Sequence, residues 1–336
     1  MDPRGPAGRR VANRTRKHLT PKHLTPKRAW KAVRRFAQWG VARVLVLVLP
    51  AIPYPVLRLL CRGLVGPVTR MLYGKKVRAN LEQAFGTQLD AARRETILRA
   101  VFVHLAEQTA ELISYVRRGH KLLDDKLDDS EGRRVLAEFE AAWSGGWIAL
   151  TGHIGNWELL GSWFGSHARG GKCVAVAKRM PNARLNALVE DLRRRFGIDT
   201  VYRDDAASKP VHVLKSGRAL ALIPDQDIKS MAGVFVDWFG RPAWTPVGPA
   251  RLAYAANVPI WGGFLLRDGR RFRLVPMEPI WPDVTQPKDS EVLRMTRAWS
   301  AQFESVVRAH PEQWPWYHDR WKTRPKAGGD DAPPLA

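Results

Sequence analysis

The sequence predicts an α/β fold, a sheet with helices on its faces, preceded by a helical segment that associates with a membrane. Three observations carry this reading. Short apolar runs alternate with helix-period segments from about residue 145 onward. An uncharged run broken by three prolines occupies residues 44–57. The first forty residues hold twelve Lys and Arg against one acid, Asp2. With 336 residues, 45% of them hydrophobic, the chain can bury the core of one large domain or two small ones.

Residues 1–29 read as a disordered basic arm, with Arg4, Arg9, Arg10, Arg14, Arg16, Lys17, Lys22, Lys27 and Arg28 and a tandem KHLTP repeat at 17–21 and 22–26. Such an arm is either a solvated tail or a polybasic membrane contact, at roughly 1 kcal/mol per cation near an anionic surface. No apolar stretch with a small-residue cleavage site follows it directly, so it does not read as a secretory signal. Residues 30–75 read as a membrane-associating helical segment. Its run at 44–57 is interrupted by Pro50, Pro53 and Pro55, and falls short of the roughly 20 apolar residues that cross a bilayer. A shallow interfacial or re-entrant anchor is the expectation, with an ordinary core helix as the alternative.

Residues 76–325 form the main domain. Ile97, Leu98, Val101, Phe102, Leu105, Leu112, Ile113 and Val116 recur at helical spacing over 91–117. His104 lies beside that stripe and receives no role. Candidate strands follow at 147–150, 172–177, 219–223, 258–266 and 271–276, with a helix at 184–196 that Gly197 stops. The Gly-, Pro- and Asp-rich residues 326–336 read as a disordered tail.

A formal net charge of +23 favours polyanions, either nucleic acid or an anionic bilayer. Fourteen Trp tilt the choice towards a membrane interface. No nucleic-acid motif is recognisable, and no nucleic-acid partner is expected. Cys61 and Cys173 form no CxxC pair, so neither a disulfide framework nor a Cys-based zinc site is expected. A P-loop, a G-x-S-x-G elbow and an HExxH pair are all lacking, so no metal or cofactor is expected.

The chemistry concentrates in Thr151-Gly152-His153-Ile154-Gly155-Asn156-Trp157-Glu158, between a predicted strand and a predicted helix. Active residues favour the carboxyl ends of strands in α/β sheets. If His153 lies in the loop and Glu158 in the first helical turns, the two converge. The carboxylate would then fix the imidazole tautomer, and His153 could take a proton from a hydroxyl. Backbone N–H groups at the helix start would stabilise an oxyanion. A bare His and Glu pair is better explained as a polar loop residue and a surface helix residue.

The segment HIGNWELLG resembles the HFGNWE signature of the late acyltransferases of lipid A biosynthesis, a branch of the glycerolipid acyltransferase superfamily with an HxxxxE motif. The likeness continues in order along the chain. Val77-Arg78-Ala79-Asn80-Leu81 with Ala84-Phe85-Gly86 resembles the family's early helix, and Pro224-Asp225-Gln226-Asp227 its PDQD segment. Residues 233–240 and 245–253 resemble its GVFVPFFG and TPTGPARLA runs. Pro311-Glu312-Gln313-Trp314-Pro315-Trp316 and Arg320-Trp321-Lys322 resemble its terminal pattern. The resemblance implies a single glycerolipid-acyltransferase-like domain with a mixed central sheet. It implies His153 as general base, Glu158 as its orienting carboxylate, and Asn156, Asp225 and Gln226 at the substrate site. Either Lys178 or Arg179 would meet a phosphate.

The implied reaction moves a fatty acyl chain from an acyl carrier protein or CoA thioester, a co-substrate rather than a cofactor, to a hydroxyl of a lipid A precursor or related glycolipid. It would proceed by direct attack, at the cytoplasmic face of a bacterial inner membrane. Ile154 in place of the usual Phe, and Asp237-Trp238 in place of Pro-Phe, bear on chain length and acceptor. A glycerophospholipid acceptor, or a non-catalytic basic membrane-anchored binding protein, is the alternative.

Overall fold

Trp147–Leu150 shows why the sheet forms where it does. All four side chains are buried, as a strand covered on both faces requires, so the run is apolar throughout rather than alternating. The structure, a computed structural model, describes residues 26–171, 173–206 and 208–325.

The N-terminal part is helical: α1 (Pro26–Val48), α2 (Tyr54–Phe85), α3 (Ala91–Arg118), α4 (Lys121–Lys126) and α5 (Ser130–Ala142). The α/β part follows as β1 (Trp147–Leu150), α6 (Trp157–His167), β2 (Cys173–Ala177), α7 (Ala183–Arg195), β3 (Ile198–Tyr202), α8 (Ser208–Lys215) and β4 (Ala219–Leu222). It continues with β5 (Gly233–Asp237), β6 (Pro242–Pro246), α9 (Gly248–Ala256), β7 (Ile260–Asp268), β8 (Arg271–Pro276) and α10 (Lys288–Ala309).

The strand order β3-β2-β4-β1-β7-β8 places β1 inside the sheet. It runs parallel to both neighbours, with Leu150 opposite Leu222 of β4 and Gly262 of β7. Only β8 is antiparallel in this sheet, which makes it mixed, and β5–β6 form a separate hairpin. Because β1 and β4 are adjacent and parallel, the loops leaving their carboxyl ends lie side by side. That adjacency builds the site described below.

The basic arm read at residues 1–29 falls largely outside the described residues, which begin at Pro26, the first residue of α1. Proline suits the first position of a helix, where its missing N–H has no partner to lose. The prolines at 50, 53 and 55 mark the break between α1 and α2. Helix α2 carries both buried and exposed apolar residues. Leu57, Cys61, Val77, Leu81 and Ala84 are buried, whereas Val56, Leu60, Leu64, Val68, Met71 and Leu72 are exposed. No helix among the described residues is long and apolar enough to cross a membrane. The predicted tail at 326–336 also lies outside the described residues.

Candidate active site

Gly155 shapes the loop that leaves β1. Its φ is +62° and a β-carbon there would fall 2.2 Å from the Leu265 carbonyl oxygen, so only glycine fits. The loop is tied down on three sides. Gly155 N–H donates to Gln313 O at 3.1 Å and Asn156 N–H to Leu265 O at 2.8 Å. From α3, Gln108 Nε2 and His104 Nε2 reach Gly155 O at 3.1 and 3.3 Å.

His153, on this loop, meets Asp225, which follows β4. His153 Nδ1 lies 2.6 Å from Asp225 Oδ1, and its backbone N–H donates to Oδ2 at 2.9 Å. Trp314 Nε1 donates to the same Oδ2 at 2.9 Å. Burial alone would raise the Asp225 pKa. The His153 and Trp314 contacts outweigh it and push the value down to about 2, so the carboxylate is ionised. Burial likewise lowers the His153 pKa, but attraction to Asp225, its hydrogen bond and the charge of Glu158 leave it above the ordinary 6.5. An ionised acceptor at Nδ1 places the neutral imidazole's proton there and leaves the lone pair on Nε2.

Gln226 Nε2 lies 3.3 Å from both ring nitrogens of His153, which sets the amide over the ring rather than in line with a lone pair. The same amide nitrogen is 3.0 Å from Nε2 of His318. His318 and Trp314 were not foreseen as site residues. The sole sequence signal for them was the terminal PEQWPW and RWK pattern that brackets one and contains the other. Asp227 of the same PDQD segment is structural. Its Oδ2 accepts from Thr323 N at 2.6 Å and its Oδ1 from Thr323 Oγ1 at 2.8 Å, which pins the C-terminal strap to the site.

Two expected roles change. Glu158 makes no hydrogen bond to His153 among the described residues; its Oε1 accepts from Arg193 Nη2 at 2.9 Å. Glu158 sits on the first turn of α6, which carries it towards α7, while β4 delivers Asp225 straight to Nδ1. Asn156, expected to bind substrate, is 1% exposed. Its Oδ1 caps α6 at Leu159 N, at 3.4 Å, and its Nδ2 donates to Glu111 Oε2 at 3.0 Å, so both polar atoms of this buried side chain are engaged within the protein.

Lys178 and Arg179 are both exposed at the end of β2. Arg179 is paired with Asp204 at 3.1 Å and Asp205 at 3.0 Å, and lies 3.9 Å above the Tyr202 ring. No group of three or more His, Cys, Asp or Glu suited to a metal occurs among the described residues. Both cysteines are buried; burial raises the Cys61 thiol and pushes Cys173 up to about 12, which makes neither a thiolate.

The arrangement is a histidine whose tautomer is fixed by a buried carboxylate, at the carboxyl ends of two central parallel strands. Comparison with known proteins identifies the family. The chain is 28% identical over 307 residues to the lipid A biosynthesis lauroyltransferase of Escherichia coli (strain K12), covering 87% of this chain and 94% of that protein. It is 24% identical over 316 residues to the lipid A biosynthesis myristoyltransferase of the same organism, covering 92% and 94%. It is also 27% identical over 255 residues to the phosphatidylinositol mannoside acyltransferase of Mycobacterium tuberculosis (strain ATCC 25618 / H37Rv), covering 74% and 77%. With residues 25–323 matching the family described as bacterial lipid A biosynthesis acyltransferase, the chain belongs to that family and is an acyltransferase.

Proposed function

We propose that the protein moves a fatty acyl chain from an acyl carrier protein or CoA thioester to a hydroxyl of a lipid A precursor or related glycolipid, at the cytoplasmic face of a bacterial inner membrane. The observation that carries the mechanism is the 2.6 Å contact between His153 Nδ1 and Asp225. With Nδ1–H held by the carboxylate, Nε2 removes the proton of the acceptor hydroxyl as its oxygen attacks the thioester carbonyl carbon. The tetrahedral intermediate collapses with loss of the thiolate, which takes the proton back from the imidazolium. The N–H groups of Trp157 and Glu158, which have no backbone partner among the described residues, are the donors we assign to the oxyanion. The raised thiol pKa values of Cys61 and Cys173 support attack without an acyl-enzyme. Because Arg179 is held by two aspartates and a tyrosine ring, Lys178 is the better cation for a substrate phosphate.

The acceptor class we propose is a glycolipid. The mycobacterial relatives support a mannosylated phosphatidylinositol as the second reading within the class. The direct test incubates detergent-purified protein with lipid A precursors, phosphatidylinositol mannosides and a panel of carrier-protein and CoA thioesters, beside His153→Ala. A lipid mass gain of one acyl group, absent with His153→Ala, is expected. No gain with any lipid from folded protein would sink the reading.

The pH dependence follows from the raised His153 pKa. Since the base must be deprotonated, kcat/KM should rise with pH through a midpoint above 6.5. Glu158 contributes to that rise through its charge, so Glu158→Gln should move the midpoint to lower pH. A midpoint unmoved by this change would show that Glu158 does not act on the imidazole through its field.

The exposed apolar faces of α1 and α2 support peripheral attachment to the bilayer. Leu64 and Leu72 are 66% and 62% exposed on one side of α2. Replacing both with Asp should weaken binding to anionic vesicles by about tenfold or more, because two side chains that would enter the interface become charged. Circular dichroism should be unchanged. Undiminished vesicle sedimentation would place the membrane contact elsewhere.

A further inference from the structure

His318 is held in place by its main chain. The buried Asn80 of α2 donates through Nδ2 to Trp316 O at 2.6 Å and to His318 O at 2.9 Å. His318 N donates to Pro315 O at 3.0 Å. The ring is thereby set beside His153, with centroids 5.9 Å apart. An amide N–H only donates, so the 3.0 Å contact from Gln226 Nε2 makes His318 Nε2 a lone pair and leaves the ring's proton on Nδ1. Burial, then the charge of His153, lower the His318 pKa, which favours that neutral acceptor. The other charges that face it oppose one another: Lys76 of α2 lowers the value, while Asp225 and Asp319 raise it.

The same Gln226 nitrogen lies 3.3 Å from both ring nitrogens of His153, over the face of the ring. From there one N–H needs only a modest rotation to come into line with the Nε2 lone pair. The terminal torsion of a glutamine is broad, so the amide stays out of line because it has a better partner, His318. An N–H in line with Nε2 would occupy the electron pair that has to take the hydroxyl proton.

We propose that His318 is a positioning residue: its Nε2 holds the Gln226 amide off the Nε2 lone pair of His153 and keeps the base open to the acceptor hydroxyl. The inference rests on the acyl-transfer reading and gives His318 no contact with substrate. Without the His318 acceptor, Gln226 donates to His153 Nε2. A hydrogen bond to the neutral imidazole stabilises that form, so its titration moves to lower pH. The occupied base loses about tenfold in kcat/KM. A merely loosened site acts in the opposite direction. Burial lowers the His153 pKa, so entry of water would raise it.

The test combines three substitutions. His318→Phe keeps an aromatic ring and removes the acceptor. His318→Gln can restore an acceptor near the Nε2 position. Gln226→Leu keeps bulk over His153 and removes the N–H. The titration of His153 is followed by NMR of the full-length protein labelled with ¹³C-histidine, without substrate, its signal identified by its absence in His153→Ala. Acyl-transfer pH profiles are measured beside it. Expected for His318→Phe is a His153 midpoint at lower pH and about tenfold lower kcat/KM, with both effects absent in His318→Gln. Beside Gln226→Leu, His318→Phe should cost nothing further in rate or midpoint. A midpoint that is unmoved or raised in His318→Phe overturns the inference, as does an equal loss with and without Gln226. If His318→Phe does not fold, His318→Ala makes the same comparison. Wild type that acylates no lipid would overturn the acyl-transfer reading, while the substrate-free titration still decides whether His318 keeps Gln226 off Nε2.

Discussion

Asp225→Asn is expected to lower the acyl-transfer rate constant about as far as His153→Ala does, roughly 10³- to 10⁴-fold, with the double substitution no worse than either single one. All of the ligands of Asp225 are donors: the imidazole Nδ1–H, the His153 backbone N–H and the Trp314 indole N–H. An amide has one oxygen where the carboxylate has two. Whichever way Asn is turned, its NH₂ group faces a donor. If it faces Nδ1, the imidazole must move its proton to Nε2, where the base is needed. If it faces the other side, two N–H groups in a buried site lose their acceptor. Single-turnover rates, with the Trp-rich near-ultraviolet dichroism as a check on folding, measure this. A loss below about tenfold in folded Asp225→Asn would remove the aspartate from the catalytic unit.

The contrast between Asp225 and Glu158 marks how far a linear reading reaches. Strand β1 was legible to the residue because it lies inside the sheet, where the apolar run is unbroken, and β8 was read equally well. Strand β3, at the sheet edge, has the mixed run Ile-Asp-Thr-Val-Tyr with no clear alternation, and β5 and β6 were legible only as motif runs. His153 could be found because glycine-rich turns after a buried strand have a sequence signature. Its carboxylate partner could not, because spacing along one chain favours the nearest acid. The true neighbour, 72 residues away, is set by the pairing of β1 with β4. Asn156 illustrates the same limit. Its place in a signature suggested substrate, whereas its burial assigns it to the cap of α6 and the contact with Glu111.

That contact carries the second large expectation, Glu111→Ala, which should destabilise the fold by about 3–5 kcal/mol, or roughly 5–8 °C in Tm for a chain of this size. Glu111 has no exposed surface. Arg267 clasps it with two hydrogen bonds of 2.7 and 2.6 Å, and Lys126 Nζ adds a third at 2.9 Å. Burial would raise the Glu111 pKa, but these cations leave it lowered. Its contribution to stability is therefore present above the ordinary carboxylate range and lost as pH falls through the depressed folded value. Removing the carboxylate leaves Arg267 and Lys126 in a poorly solvated site with only Glu107, which Arg58 and Arg62 already occupy at 2.6 and 2.9 Å. It also frees the Asn156 amide that helps hold the His153 loop. Glu111→Ala should thus lose activity at temperatures where it is still folded, beyond what its stability loss explains. Thermal unfolding in detergent, paired with transfer rates below the new midpoint, separates the two effects. A midpoint within 1 °C of wild type would mean that the cluster exchanges its charges with water and does not clamp the site.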